Sequence, residues 1–330
     1  MFTRPATEGS FLVAGRNVLI QAFDDTSMQA VLHTFAGWFI TTNSEHPQPD
    51  LVLRIHSGVT PPEVPKDFNG FPIIHGGRCS TDGDTFYLQF EKALIAFGPG
   101  LATQVDLWLE SPLDSSSIVT GQLLSHALAP ALRRCGVFEI HSAGVIAPES
   151  SEVVLIAGPS GSGKSTLTTQ LANCNWSYLS DDVLLLHSSE QNITAEPLRR
   201  FFALTSQTIA AAALGAELQD SSQAKNRIFP QEIFQRAPLS DGVPGTIVFP
   251  TVVDSACSSL LPLTSAESMK RLLRLCPWAA YDKPTSGPHL QLLGRLANST
   301  SGFELFAGKD ILKDRQRAAE LFTQVVSKQL

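Results

Sequence analysis

The sequence predicts an α/β protein with a mixed sheet, in which a smaller β-rich N-terminal module precedes a larger domain built around a phosphate-binding loop. Two observations predict it. Between residues 11 and 109 short runs of Val, Ile, Leu and aromatic residues alternate with clusters rich in Gly, Pro, Asp and Ser, the pattern of strands joined by turns. Residues 153 to 172 then read VVLIAGPSGSGKSTLTTQLA, a buried-strand run, a glycine-rich loop and a helical pattern in that order.

In chain order, strands are expected at Phe11 to Ala14, Val18 to Phe23, Leu51 to His56, Thr85 to Phe90, Ala93 to Phe97 and Val105 to Leu109. The breaker clusters His46 to Asp50, Gly58 to Pro65 and Cys79 to Asp84 separate them. Met28, Val31, Leu32, Phe35 and Trp38 fall near helical spacing and place one helix here, ending before the turn-like TTNS. After the polar stretch Ser111 to Ser117, Leu123, Leu124, Ala127, Leu128, Ala131 and Leu132 mark a longer helix. Arg133 and Arg134 suit its last turn and Gly136 its C-terminal cap. The division is expected at this helix, giving a module over 1–116 and a domain over 117–330. Further on, Thr264 and Glu267 predict a capping box, and Asp310 to Lys328 a terminal helix with Ala318, Leu321, Phe322 and Val325 on its apolar stripe.

Composition narrows the function. Of the 330 residues 43% are apolar and 17% charged, an ordinary globular balance. With 24 Lys plus Arg against 31 Asp plus Glu the net charge is −7, the wrong sign for a general binder of nucleic acid. An anionic ligand must therefore be gripped by local geometry. The five cysteines form no CxxC pair and no metal-like spacing with His. They fit a reduced, cytoplasmic chain, and no apolar run approaches the roughly 20 residues of a membrane span.

Gly158-x4-Gly163-Lys164-Ser165 carries the chemistry. Its glycines let successive N–H groups aim at phosphate oxygens, and the helix that follows presents its positive end to the same anion. Gly158, Ser160, Gly161, Ser162, Gly163, Lys164, Ser165 and Thr166 are the candidate nucleotide ligands, with Lys164 reaching the phosphates and the Ser165 hydroxyl directed to Mg²⁺. Soon afterwards the adjacent carboxylates Asp181 and Asp182 open the strand Val183 to Leu186. Two carboxylates beside a metal triphosphate can divide labour, one toward the metal and one accepting the proton of an attacking hydroxyl. Upstream, Phe138 to Ile146 reads as a strand that carries His141 and forms a hairpin with the loop strand. No LSGGQ-like or NKxD motif occurs, which disfavours an ABC-type ATPase and a GTPase.

Together His141, the loop from Gly158 to Ser165 and the Asp181-Asp182 pair resemble the catalytic domain of bacterial HPr kinase/phosphorylase. More closely, they resemble its stand-alone relatives, the HPr-kinase-like serine kinases, some of them associated with lasso-peptide and other peptide-modification gene clusters. The resemblance covers about residues 117 to 330, and the fold it implies is similar to that of ATP-dependent phosphoenolpyruvate carboxykinases. It implies ATP and Mg²⁺ as cofactors, Asp181 as the base for an acceptor serine, Asp182 near the metal and His141 beside the base. Lys164 would offset charge that develops during transfer. The chain departs from the bifunctional members, which carry Glu where Thr166 stands and an ExRGxG signature absent here. In the relatives a cationic element precedes a strand at about the position of Lys225 and Arg227, which makes both candidates for phosphate or substrate. The implied acceptor is a peptide or small protein, a ribosomal precursor peptide among the candidates. Neither nucleic acid nor membrane is an expected partner, and a homo-oligomer is one expectation. A small-metabolite kinase and an ATP-binding regulatory protein without phosphotransfer are the alternatives.

Overall fold

The computed structural model describes residues 7–42, 48–189, 191–212 and 226–327, which divide into two compact units. The first unit takes residues 1–138 and 278–289 and the second takes 139–277 and 290–330. Both are α/β with mixed sheets.

In the first unit the strands are β1 (Thr7–Val13), β2 (Arg16–Ala22), β3 (Thr41–Thr42), β4 (Leu51–Ser57), β5 (Asn69–Pro72), β6 (Arg78–Thr81), β7 (Phe86–Phe90), β8 (Ala93–Phe97) and β9 (Gln104–Leu109). They form one sheet in the order β3-β1-β2-β4-β9-β8-β7-β6-β5. Helix α1 (Asp25–Ala36), capped where Asp24 accepts from the Ser27 N–H at 2.7 Å, joins β2 to its parallel neighbour β4. Helix α2 (Ile118–Arg134) packs on β4, β8 and β9 with Leu123, Leu124, Ala127, Leu128, Ala131 and Leu132 all buried. Its exit is the expected one, since Gly136 sits at φ +75°.

Three expectations change here. The stretch read as a breaker from Cys79 supplies β6 through Thr81, and the turn is Asp82 to Thr85. The first two residues of the TTNS turn pair with β1 as β3, whereas Asn43 and Ser44 lie outside the described residues. The third concerns α2, expected in the second domain, which belongs to the first unit. A buried ionic cluster ties it there. Arg133 Nε and Arg134 Nη1 each donate to Asp282 Oδ2 at 3.0 Å, with every side chain at most 1% exposed. Their guanidinium carbons lie 4.7 Å from the Trp278 ring and 4.9 Å from the Phe97 ring. Asp282→Asn should cost about 3–5 kcal/mol, because it leaves two buried cations without their anion; denaturant unfolding checks this, and a loss under about 1 kcal/mol would contradict it.

On the opposite-facing residues of the same strands, Arg54 pairs with Asp106 in a fork, Nε to Oδ1 at 2.7 Å and Nη2 to Oδ2 at 2.9 Å. His56 Nε2 meets the same Oδ1 at 2.7 Å. Burial alone would raise the Asp106 carboxyl, but the bonds from His56 and Arg54 outweigh it and hold it below the usual carboxylate range. A depressed pKa in the folded state stabilises above the unfolded value and ceases to as pH falls through the folded one. Asp106→Asn should therefore destabilise by about 1–3 kcal/mol at pH 7. The gap from wild type should narrow on acidification below about pH 4, and an unfolding series that shows a constant gap would refute the linkage.

The second unit begins within β10 (Val137–Ile140). It continues through β11 (Ser142–Ile146), β12 (Glu152–Ala157), α3 (Lys164–Ala172), β13 (Ser177–Ser180), β14 (Leu184–Ser188), β15 (Ile193–Pro197), β16 (Phe202–Leu204) and α4 (Ser206–Ala211). After it come β17 (Asn226–Ile228), β18 (Val243–Val252), β19 (Ser259–Leu263) and α5 (Ser265–Leu275). α6 (Trp278–Tyr281) lies in the first unit and α7 (Lys283–Ser299) runs through the division. β20 (Ser301–Ala307), α8 (Lys309–Lys313) and α9 (Arg315–Ser327) complete the chain. The main sheet has the order β13-β11-β12-β18-β20-β19, with β18 parallel to both β12 and β20. Leu167 and Leu171 of α3, Val154 and Ile156 of β12, Tyr178 of β13 and Phe322 of α9 share its core. The predicted capping box of α5 is present, Thr264 and Glu267 bonding each other's backbone N–H. The terminal helix is two helices, because Asp314 Oδ1 accepts from the Gln316 N–H at 2.9 Å and starts a new turn; Lys328 lies outside the described residues. No disulfide joins the five cysteines. Among the described residues no helix is long and apolar enough to cross a membrane.

Candidate active site

The site follows from strand direction. β12 and β13 both pair antiparallel with β11, so they run parallel to each other and end at the edge where β11 begins. Three things converge there: the loop that leaves β12, the acidic pair that leaves β13, and His141, just before β11. The Gly158 N–H donates to the His141 carbonyl at 3.4 Å, which ties the loop to the histidine's backbone.

His141 interrupts the strand expected from Phe138 to Ile146, separating β10 from β11. The hairpin of β11 with β12 forms as expected, Ser142 facing Ala157. The acidic pair does not open β14. It sits in the bend between β13 and β14, where both carboxylates reach the sheet edge instead of alternating across a strand.

The loop has the backbone of an anion cradle. Gly161 and Gly163 take φ of +83° and +96°, values that favour glycine, and Gly163 caps α3. Ser160 and Gly161 form the exposed rim, whereas Gly158 and Ser162 are buried. The Ser162 hydroxyl is buried without a hydrogen-bond partner, a polar group that an incoming acceptor would satisfy. Lys164 is 5% exposed and its Nζ donates to the carbonyls of Gly158 at 2.7 Å and Pro159 at 3.1 Å. The Thr166 hydroxyl meets that of Thr208 at 3.0 Å, linking α3 to α4.

The two aspartates occupy different environments. Asp181 is 1% exposed, its Oδ2 accepts from the Ala203 N–H at 3.2 Å, and its main-chain carbonyl accepts from the Ser165 hydroxyl at 3.5 Å. Burial first, and the neighbouring Asp182 charge second, push its carboxyl upward. Asp182 is clamped from two sides, with Oδ1 3.2 Å from His141 Nδ1 and Oδ2 2.5 Å from Arg199 Nη2. Burial opposes its ionisation, but the charges of Arg199, His141 and Lys164 prevail and hold it below the usual range. Arg199, which sequence reasoning missed, is thus part of the site. Arg227 lies on β17, 5.1 Å from the Phe201 ring, and Lys225 lies outside the described residues.

No family model and no curated protein matches the chain. Among solved structures it aligns with the HPr(Ser) kinase/phosphatase from Coxiella burnetii at 16% identity and a TM-score of 0.26. The alignment covers 35% of this chain and 59% of that one.

Proposed function

We propose that this protein is an ATP- and Mg²⁺-dependent kinase that transfers the γ-phosphoryl group to a hydroxyl, with serine of a peptide or small protein as the acceptor. The observation that carries the reading is the convergence of the glycine loop, the Asp181-Asp182 pair and His141 at one sheet edge. The serine acceptor rests on the sequence resemblance described above.

The residues fit a nucleotide. The cradle offers backbone N–H groups, the unsatisfied Ser162 hydroxyl and the Lys164 ammonium, all suited to phosphate oxygens. They also fit Mg²⁺. The Ser165 hydroxyl beside Asp181, and the Asp182 carboxylate next to it, are hard oxygen donors of the kind Mg²⁺ takes one or two at a time together with substrate phosphates. Bound there, Mg²⁺ would neutralise charge on the phosphate oxygens.

The geometry favours exchanging the roles first assigned to the two aspartates. Asp181 is sealed and joined to Ser165, the hydroxyl expected to meet the metal, so the metal side falls to Ser165 and Asp181. Asp182, its side chain 15% exposed and held ionised, is the group to take the acceptor's proton. The hydroxyl oxygen forms a bond to the γ-phosphorus as the bond to the bridging oxygen breaks; ADP leaves and the proton passes to Asp182. His141 and Arg199 keep that carboxylate oriented. Incubation with γ-labelled ATP and serine peptides, or a native lysate, tests the proposal. Label on a peptide or protein supports it, label on a small molecule points to a metabolite kinase, and binding of ATP with no labelled product points to a regulatory protein.

A further inference from the structure

The cationic surface around Asp182 continues outward. Arg199, besides holding Asp182, has its guanidinium carbon 5.4 Å from the centre of the Phe201 ring. Arg227 reaches the same ring at 5.1 Å from β17, the partner strand of β16. Phe201 is buried and packs edge-on against Phe229 at 6.4 Å, so the platform under the two cations is fixed. Asp182 balances Arg199. Among the described residues no carboxylate pairs with Arg227, which shares the Phe201 ring with the like charge of Arg199. Two guanidiniums drawn to one ring, with no second anion among the described residues, form an electrostatically incomplete arrangement. A carboxylate would complete it, since the guanidinium fork matches carboxylate geometry.

We infer that Arg199, Phe201 and Arg227 form an anion subsite beside Asp182 that selects acceptor peptides carrying Asp or Glu near the phosphorylated serine. The inference rests on the kinase reading and adds the acceptor's chemical class. An extended peptide advances roughly 3.5 Å per residue, so the carboxylate belongs about one to three residues from the serine. The loop and Lys164 already serve the nucleotide's phosphates, which leaves the Phe201 cations for the acceptor. Arg227 is exposed and on a short strand, so its replacement leaves the core intact.

The test uses two libraries of peptides with a fixed serine, one flanked by Asp or Glu and the other by Asn or Gln. The expected result is a rate ratio of about tenfold or more in favour of the acidic library, the equivalent of one charge-assisted pair. Arg227→Gln should bring that ratio close to one, and Arg227→Glu should turn the preference toward Lys-flanked peptides. A wild-type ratio near one, or a ratio unchanged in Arg227→Gln, overturns the subsite. So does a tenfold loss of ATP affinity in Arg227→Gln with the ratio intact, which would assign the cation to the nucleotide. Binding of the acidic library with Ser replaced by Ala, followed by fluorescence anisotropy, separates the two readings. Binding that Arg227→Gln abolishes, with no transfer to any peptide, upholds the subsite and rejects the kinase, whereas no preference in binding or transfer rejects the subsite alone.

Discussion

Asp182→Asn is expected to reduce phosphoryl transfer by about 10²- to 10⁴-fold, the usual contribution of a positioned proton acceptor, while ATP affinity stays within a few-fold of wild type. The substitution preserves shape and removes only the charge and basicity. Asp182 is the carboxylate that His141 and Arg199 hold at 3.2 and 2.5 Å and that the surrounding cations keep ionised. The amide cannot take a proton from a hydroxyl, and it leaves Arg199 without its anion, so its loss should appear in kcat more than in KM. Asp181→Asn should behave differently. Its carboxyl is buried and accepts from the Ala203 N–H, while Ser165 donates to its main-chain carbonyl, so the variant should chiefly raise the Mg²⁺ concentration needed for half-maximal rate. Single-turnover assays across a Mg²⁺ series distinguish the two. Near-normal transfer by Asp182→Asn, with loss confined to Asp181→Asn, would return the base to the first aspartate.

What the sequence discloses here depends on the range of the interaction that sets each feature. Strands β4, β7, β8 and β9 have apolar side chains recurring within a few residues, and their bounds were readable to within about a residue. Strand β6, Arg78-Cys-Ser-Thr, has no such repeat, and its extended form comes from pairing on both sides with β5 and β7. The break at Asp314 depends on one side-chain oxygen, which accepts from the Gln316 and Arg317 N–H groups and competes with the helix. At the site, the glycine loop and the paired carboxylates are local patterns with a local physical reason, whereas Arg199 reaches Asp182 from 17 residues away with no spacing rule to announce it. The assignment of α2 to the first unit has the same cause, since Arg133 meets Asp282 across 149 residues. Which of two neighbouring aspartates is sealed and which is open is likewise a tertiary fact, set by the Ala203 backbone and by Arg199.

Lys164→Ala should lower ATP affinity by at least about tenfold and turnover by a further 10²- to 10³-fold, as expected for loss of a preorganised cation at developing phosphate charge. Lys164 is the one charged residue between Gly158 and Thr166 in a protein of net charge −7, so nothing else in the loop replaces it. In the free protein its ammonium is stored against the Gly158 and Pro159 carbonyls. Those bonds hold it inside the cradle at little cost in side-chain freedom, ready to exchange carbonyl oxygens for phosphate oxygens. Lys164→Arg should not rescue, because a planar fork cannot occupy the space of a compact ammonium that is 5% exposed. Thermal unfolding gives a readout independent of turnover. Wild type should gain about 2.7 kcal/mol at a hundredfold excess of ATP over its dissociation constant, and Lys164→Ala should gain markedly less at the same concentration. An unchanged ligand-induced shift in the alanine variant would show that the loop does not grip the nucleotide through Lys164, and with that the anion cradle would lose its only side-chain cation.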